Sequence, residues 1–537
     1  MSQTQPKTLP THDYARKIAT AIARGRPPPF TEALARFCDS SPGEIFVAFA
    51  GAARHMPPAG EDETLAIGYL FLLQRLLEHL RYRTDEGHDD AAGLIADFQA
   101  HVVAEVEAGK VDRRLLAFVG GALHQSKIPA SPEFAAASAE NAVDGNDTAV
   151  LPSDIRAALA DIVAACDGNP FLAVGALTES SYAMPVEARC ALAAALAVEG
   201  GSEGRSAAVL FLLDPDADLR RMVAAALERV AASLTPTELR RLIAIRNWRP
   251  EDERAGVDAV IRKARAKGID CAAWDAGSLE AIFATGIDGA MTQALLLISP
   301  AGRKKRLSSI LVRDGLADAF SAEPQTRRQI ETNLVGSGTP MFLVARSYLD
   351  QIVAHHLAIS IDKGQTPPFS LLEIAEMIGG ADWQPARMDF GATLAGLMAQ
   401  IPKAMQQPAA LTAVLRRSNV LAGLGGVAQS WFEDNPRIRD IVEQARGRER
   451  AKLQDYLLQG ALGQYRDKWA DLFLRTACWM QAASSPDDLC WRELTLVAKA
   501  LAEGRDLTEI GLMHDVASRT ITAIGHLARQ RRKASSS

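Results

Sequence analysis

Four short segments in the middle third of the chain repeat one pattern, and this repeat constrains the fold more than any other feature. Each segment begins with a proline, continues with an acidic residue and an arginine, and runs on into a stretch with apolar residues at fixed offsets. The acid and arginine pairs are Asp154 and Arg156, Glu187 and Arg189, Asp218 and Arg220, and Asp252 and Arg254. The arginines are 33, 31 and 34 residues apart. A period of this length is typical of stacked helical repeats, so the spacing predicts an array of helical hairpins.

The apolar positions of the repeat explain why such hairpins would stack. Residues three and seven positions after each arginine share one side of a helix. They are Leu159, Leu192, Val223 and Val257, and then Val163, Leu196, Leu227 and Ile261. Because one hairpin alone leaves an apolar face in water, these positions are expected to form the seam between layers. We expect each arginine to reach the acid of a neighbouring repeat, as part of a structural ladder and not as a catalytic group.

Composition predicts an all-α protein. Hydrophobic residues make up 48% of the chain and aromatic residues only 6%, and alanine and leucine, which supply most of the apolar content, both favour helices. The net charge of −6 gives no overall attraction to nucleic acid or to anionic membranes. The six cysteines include no C-x-x-C pair and are expected to be reduced thiols in the core. With no apolar leader and no uncharged run long enough for a membrane span, the expected location is the cytoplasm.

The pattern along the chain predicts an α-solenoid flanked by other helical regions. We expect an N-terminal helical bundle at 1–128, a linker at 129–149, the repeat block at 150–268, continuing helical hairpins at 269–368, and a C-terminal helical region at 369–537. The clearest bundle helix is expected over 65–83, where apolar residues recur at helical spacing. Within the continuing hairpins, helices are expected over Ser278–Ala284, Met291–Ile298, Leu307–Phe320 and Met341–Ser360.

One copy of the repeat resembles a known family. The stretch from Leu210 to Leu227 (LFLLDPDADLRRMVAAAL) is similar to the short HEAT-like repeats of the phycobilisome-lyase type, in which a leucine-rich helix precedes Asp-Pro-Asp, Val-Arg and an alanine-rich helix. This resemblance implies an α-solenoid and a general role in protein association. It does not imply lyase activity, since many unrelated proteins share the repeat.

A second resemblance lies near the C-terminus. The run LAEG at 501–504, followed by EIG at 509–511, VA at 516–517 and TI at 520–521, resembles the helix-turn-helix of quorum-sensing and response-regulator transcription factors. In that family the second helix enters the major groove. The resemblance implies base contacts from Ser518, Arg519 and Thr522. Phosphate contacts would come from Arg529, Arg531 and Arg532.

Other signals are weaker. The basic run Gly302–Arg306 stands at an expected helix start, either as a solvated face or as a contact for a phosphate or an acidic partner. His355 and His356 are adjacent on an expected helix, so they point about 100° apart and cannot hold one metal ion together. One of them is expected to be buried. No phosphate loop, nucleophile elbow, zinc helix or dinucleotide turn occurs, so no catalytic residue, metal ligand or cofactor is assigned.

These observations favour a non-enzymatic scaffold or adaptor that binds a protein partner along its helical-repeat surface. The first alternative is a DNA-binding regulator that uses the C-terminal segment. The second is an enzyme with a helical active site, which would need convergent acid and base groups that the sequence does not display. No small-molecule substrate is evident.

Overall fold

The computed structural model describes most of the chain, in two compact units. The described residues are 11–24, 32–56, 64–85, 89–111, 113–142, 161–181, 186–274, 277–336, 340–379, 383–421, 424, 426–445 and 449–535. The first unit comprises 1–212 and 216–231, and the second comprises 213–215 and 232–537. No helix among the described residues has the length and apolar character needed to cross a membrane.

The first unit begins with a bundle of seven described helices. They are α1 Thr11–Ala23, α2 Glu32–Ser40, α3 Ile45–His55, α4 Thr64–Asp85, α5 Asp89–Glu107, α6 Arg113–Gln125 and α7 Pro132–Ala142. Helix α4 is central, since it packs against α1, α3, α5 and α6. Its residues Leu72, Leu76 and Leu80 are fully buried at the predicted spacing. The bundle helix expected over 65–83 is confirmed.

Helix α7 lies within the stretch 129–149 that was expected to be a linker, since residues 132–142 are helical, and residues 143–149 lie outside the described residues. The hydroxyl of Ser131 accepts a hydrogen bond from the backbone N–H of Phe134, and Pro132 occupies the first helical turn. The Phe134 side chain is buried in the core of the bundle. The alanine-rich composition therefore forms a short packed helix and not an open connection.

Four described helices of the first unit, in two consecutive pairs, lie in the predicted repeat block. They consist of α8 Pro170–Ser181 with α9 Val186–Glu199, and of α10 Gly201–Leu210 with α11 Ala217–Arg229. Helix α9 packs along α11, and α10 packs along α8. The seam positions Leu192, Leu196, Val223 and Leu227 are buried, as is Val163. Leu159 lies outside the described residues.

The fourth copy of the repeat belongs to the second unit. Helices α12 Pro236–Asn247 and α13 Arg254–Ala266 pack against each other, and Val257 and Ile261 of α13 are buried. Thr235 caps α12, with its hydroxyl accepting from the N–H of Glu238 while the Glu238 carboxylate accepts from the N–H of Thr235. The predicted block at 150–268 is thus divided between the two units near residue 231. The structure describes two stacked pairs and does not establish a continuous solenoid.

A five-stranded antiparallel sheet corrects the all-α prediction. Its strands are β1 Ala281–Thr285, β2 Gln293–Ala301, β3 Lys304–Val312, β4 Leu316–Ser321 and β5 Met341–Leu343, in the spatial order β4-β3-β2-β1-β5. They replace the helices expected over 278–284, 291–298 and 307–320, and the start of the helix expected over 341–360. Short apolar runs such as Ala294–Ile298 have no periodicity that separates a strand from a helix, which is why the prediction failed here. The chain is mostly helical but not all-α.

The remaining helices surround this sheet and complete the second unit. They are α14 Arg327–Gly336, α15 Arg346–Asp362, α16 Ser370–Met377, α17 Phe390–Met398, α18 Pro408–Arg416, α19 Pro436–Gln444, α20 Arg450–Gln459, α21 Arg466–Gln481, α22 Trp491–Ala502 and α23 Gly511–Ser535. Two buried indoles link distant parts of this unit to the sheet region. Trp479 donates to the carbonyl oxygen of Ala284 over 2.9 Å, and Trp431 donates to that of Ile287 over 2.8 Å.

Candidate functional site

The predicted ladder residues do not bridge neighbouring repeats where both partners are described. Asp218 is exposed and pairs with Arg221 on its own helix. Arg254 donates to the backbone oxygen of Arg249, and Asp252 is exposed without an ion pair to any described residue. Asp154 and Arg156 lie outside the described residues, and the side chain of Glu187 is also not described. Arg189 is half-buried and Arg220 is buried.

The C-terminal segment does not form the predicted helix-turn-helix. Residues 511–535 are one continuous helix, α23, with no turn between the matched positions at 509–511 and 516–521. Leu512, Met513, Val516 and Ala517 are buried, so apolar packing holds the helix through the place where the turn would stand. The matched run at 501–521 therefore contains the end of α22, a short 3-10 turn at Leu507–Glu509 and the first part of α23, with no second turn inside α23.

Three of the predicted DNA-contact residues form hydrogen bonds with other residues of the same chain. Arg450 of α20 donates to the hydroxyl of Ser518 over 2.9 Å and to the hydroxyl of Thr522 over 2.6 Å. Arg519 donates to the backbone oxygen of Ala428 and is half-buried. All three residues are half-buried, and these contacts would have to break before their side chains could reach base edges. The structure does not describe the side chains of Arg529, Arg531 and Arg532.

The two faces of the sheet differ in burial, and this contrast defines the candidate site. Strand residues alternate between faces, and the register places Phe283 opposite Leu296, Leu296 opposite Ser309, and Ser309 opposite Phe320. The other, inner face includes Ile282, Ala284, Leu295, Leu297 and Ile310, all of which are buried.

The inner face is covered by helices of the second unit. Tyr348 of α15 donates to the side-chain oxygen of Gln293 over 2.9 Å. The hydroxyl of Ser299 lies 3.2 Å from the sulfur of Met377 at the end of α16. On β5, the ring of Phe342 stacks on Trp479 of α21, with ring centroids 4.4 Å apart. These contacts cover the inner face, although Phe342 on β5 is only half-buried.

The opposite face is apolar yet only partly covered, and we call it the outer face. Its apolar side chains are Phe283, Leu296, Ile298, Leu311, Phe320, Met341 and Leu343, and the half-buried Asp318 lies opposite Leu311 on the same face. Phe320 on edge strand β4 is 52% exposed, and Leu343 on edge strand β5 is 43% exposed. The other five side chains are half-buried. Contiguous apolar side chains that remain in contact with water mark interaction surfaces more often than chance placement does.

Helix α14 covers only part of the outer face. It lies in the connection between β4 and β5, which are the opposite edges of the sheet, and it packs against β3. On β3 the outer-face positions Leu307 and Ser309 are buried, as is Ile330 of α14. We attribute the burial of these strand residues to the helix. Elsewhere on the outer face, Phe320 and Leu343 remain exposed.

Basic residues gather at the hairpin end of the sheet, where Lys305 is in register with the outer face and Lys304 and Arg306 are in register with the inner face. Gly302 and Arg303 form the two-residue loop of the β2–β3 hairpin, and Gly302 adopts a φ of 61° that suits glycine. The basic run 302–306 therefore forms a hairpin end and not the expected helix start. Gln325 pairs with the Lys305 backbone, which brings the beginning of α14 to the same end.

Half of the basic residues at this end have internal partners. Lys305 pairs with Glu280, Arg306 lies 3.6 Å from Glu373, and Arg327 pairs with Glu331 over 2.7 Å. Arg303, Lys304 and Arg328 are exposed and form no ion pair within the described part of the chain. We call these three residues the cationic end.

A buried charged cluster lies behind the sheet, on α16. Burial alone would raise the pKa of Glu376, but hydrogen bonds from Arg241 and Arg240 more than offset it and lower the pKa. For Glu373, burial raises the pKa, and Arg306 only partly opposes this. Arg240 also lies over the ring of Trp274 at 4.8 Å. Because every partner is a side chain of the same unit, the cluster has the character of a structural ion-pair network.

His355 and His356 are both buried, whereas the sequence predicted one. Their rings are 5.0 Å apart and nearly perpendicular. His355 accepts a hydrogen bond at Nδ1 from the N–H of Met388 over 3.0 Å. Burial, with a contribution from Arg475, lowers the pKa of His355 to about 4 and that of His356 to about 3. No group of acids, histidines or cysteines suited to a metal ion occurs among the described residues.

The outer face could not be identified from the sequence. Its residues come from all five strands, and every one of those strands overlaps a stretch that was expected to be helical. The only available signal was the basic run 302–306, whose side chains stand at the edge of the surface.

Two family models match separate segments of the chain. The Y4lR second domain matches residues 185–268, and the Y4lR C-terminal helical domain matches residues 391–525. The uncharacterized protein y4lR of Sinorhizobium fredii (strain NBRC 101917 / NGR234) is 25% identical over 382 residues, which cover 69% of this chain and 72% of that protein. No solved structure matches. The sheet lies between the two matched segments and outside both.

Proposed function

We propose that this protein is an adaptor that binds another protein on the outer face of its sheet. The observation that carries the proposal is the partly exposed apolar surface with Phe320 and Leu343 at its two edges. Removing such a surface from water stabilises a complex by roughly 25 cal/mol for each Å² of apolar area buried. Aromatic side chains such as Phe320 and Phe283 are typical anchors of protein interfaces.

The proposal keeps the adaptor role that was predicted from the sequence, but it places the binding surface on the sheet and not on the repeat helices. The repeat helices bury their predicted seam positions against each other, and those positions are therefore not available to a partner. DNA binding is not proposed, because Ser518 and Thr522 already contact Arg450.

Site-specific photo-crosslinking tests the adaptor role. A photoreactive phenylalanine analogue replaces Phe320 in one variant and Tyr82 in a control variant, where the side chain on α4 of the first unit is 61% exposed. We expect irradiation in cells to give one discrete adduct at position 320, with the partner segment identified by mass spectrometry, and none at position 82. Absence of an adduct at 320, or the same adducts at both positions, would contradict the proposal.

A further inference from the structure

We infer that the occupant of the outer face is an acidic amphipathic helix of the partner protein. This inference rests on the proposed function and adds the chemistry of the partner. It follows from three features of the described residues: the apolar character of the outer face, the cationic end beside it, and the closure of both sheet edges.

The apolar side chains require an apolar stripe on the partner. The outer face extends over all five strands, so it presents a broad surface and not a single pocket. One short helix, α14, already packs on β3 through Ile330. A second helix beside α14 would cover Leu296, Ile298 and Phe283 in the way that helices usually pack on a sheet face.

Closure of both edges favours a helix over an added strand. Strand addition needs a row of unpaired backbone groups at the edge of a sheet. On β4 the N–H of Ala319, which points away from β3, donates to the side chain of Asp318 over 2.9 Å. Beyond β5 the N–H of Ser484 donates to the carbonyl oxygen of Leu343 over 2.9 Å, and Val344 pairs with Ala483. An extended segment therefore finds the N–H of Ala319 and the carbonyl oxygen of Leu343 already bonded.

The cationic end indicates that the partner is negatively charged. Arg303, Lys304 and Arg328 are exposed at the same end of the sheet and have no acidic partner among the described residues, in a chain whose net charge is −6. Neighbouring basic residues do have such partners, so the three are left over after internal pairing. Unpaired charges at the rim of an apolar surface favour oppositely charged partners and speed their association. Glutamate or aspartate on the polar side of a bound helix would complete this pairing.

Charge reversal in the full-length protein tests the inference. The photoreactive residue at position 320 is combined with Arg303→Glu and Lys304→Glu, and separately with Lys267→Glu and Lys403→Glu. Lys267 and Lys403 are exposed residues of the same unit and produce the same change in net charge. We expect the first pair to reduce adduct yield about tenfold and the control pair to leave it unchanged. Melting temperatures should stay the same, since all four side chains are exposed.

A defined probe provides a second measurement. A helical peptide with leucine on one face and glutamate on the other is compared with its leucine and lysine counterpart by fluorescence anisotropy. We expect binding of the glutamate peptide only, weaker at high salt and weaker in the Arg303→Glu and Lys304→Glu variant.

The outcomes separate the two proposals. An adduct at position 320 that is indifferent to both charge reversals, or a captured segment that is not acidic, overturns the inference while the adaptor role stands. An adduct between two copies of this chain, or competition by duplex DNA, also overturns it. Failure to form any adduct at position 320 counts against the adaptor role itself.

Discussion

Arg241 holds Glu376 through two parallel hydrogen bonds, from Nε to Oε1 over 2.8 Å and from Nη2 to Oε2 over 2.8 Å. Arg240 adds a third bond to Oε1 over 3.0 Å. Both arginines are buried, and their helix α12 lies about 135 positions from Glu376 in the chain. The contact therefore connects the end of the repeat region to the helices around the sheet, within one compact unit.

Replacement of Glu376 by glutamine is expected to destabilise the second unit strongly. The substitution removes the negative charge between two buried guanidinium groups, and a buried charge left without its partner costs about 3 kcal/mol or more. Equilibrium urea unfolding of the full-length protein measures the loss.

Glu373 on the same helix supplies the control. Its pKa is raised by burial, so its charged form is disfavoured in the folded protein. We expect Glu373→Gln to cost less than about 1 kcal/mol. Equal losses of unfolding free energy in the two variants would show that the charge of Glu376 does not stabilise the second unit.

Leu227→Ala is expected to destabilise the first unit by about 2–5 kcal/mol, because it leaves a cavity in the seam between α9 and α11. Met222 on the same helix is 48% exposed, and Met222→Ala is expected to change stability by no more than about 0.5 kcal/mol. Thermal unfolding followed by circular dichroism compares the two. A mild effect of Leu227→Ala would mean that the seam carries little of the stability.

Hydrogen exchange distinguishes one continuous C-terminal helix from two helices joined by a turn. The amides of residues 516–520 are expected to exchange as slowly as those on either side, since each lies within α23 and the segment packs against α19 and α20. The amide of Asp506, an exposed residue between α22 and the next helical turn, serves as the fast-exchanging comparison. Rapid exchange at 517–519 would instead support a turn at that point.

The sequence predicted long periodic helices well and failed where periodicity was absent. Helix α4 has apolar residues at helical spacing over several turns, and the seam positions at 192, 196, 223 and 227 are buried as expected. The strands are different, because Leu295, Leu296 and Leu297 are all apolar although they face opposite sides of the sheet. With an apolar outer face, the alternation that identifies a strand disappears.

The candidate site could not be predicted from the sequence, because the strands that form it were not recognised. A surface exists only after strands from distant positions pair, and the pairing of β1 with β5 joins Phe283 to Leu343. The C-terminal resemblance was misleading because register agreement over about twenty residues does not specify a turn. Buried Val516 and Ala517 continue the helix through that position.

Acid is expected to destabilise the second unit through His355 and His356. Burial, followed by the charges of Arg475 and Arg387, lowers the pKa of His355 to about 4, against an ordinary value of 6.5. Below 6.5 the unfolded chain therefore binds more protons than the folded chain, and stability falls as the pH falls toward 4. His356, with a pKa of about 3, extends the loss to lower pH. Well above pH 6.5 both rings are neutral in the folded and in the unfolded chain, so their contribution to stability no longer changes with pH.

His355→Gln tests this linkage, because glutamine does not titrate and offers an oxygen to the N–H of Met388. Between about pH 7 and about pH 5, His355 alone accounts for a loss of about 2 kcal/mol, so the variant should show a pH dependence smaller by that amount. The exposed His526 provides the matched control, and His526→Gln should keep the dependence of the unsubstituted protein. Urea midpoints at the two pH values give the comparison. An unchanged pH dependence in His355→Gln would mean that this ring is already protonated in the folded state or reaches solvent, and either result would contradict its burial between α15 and the Arg387 segment.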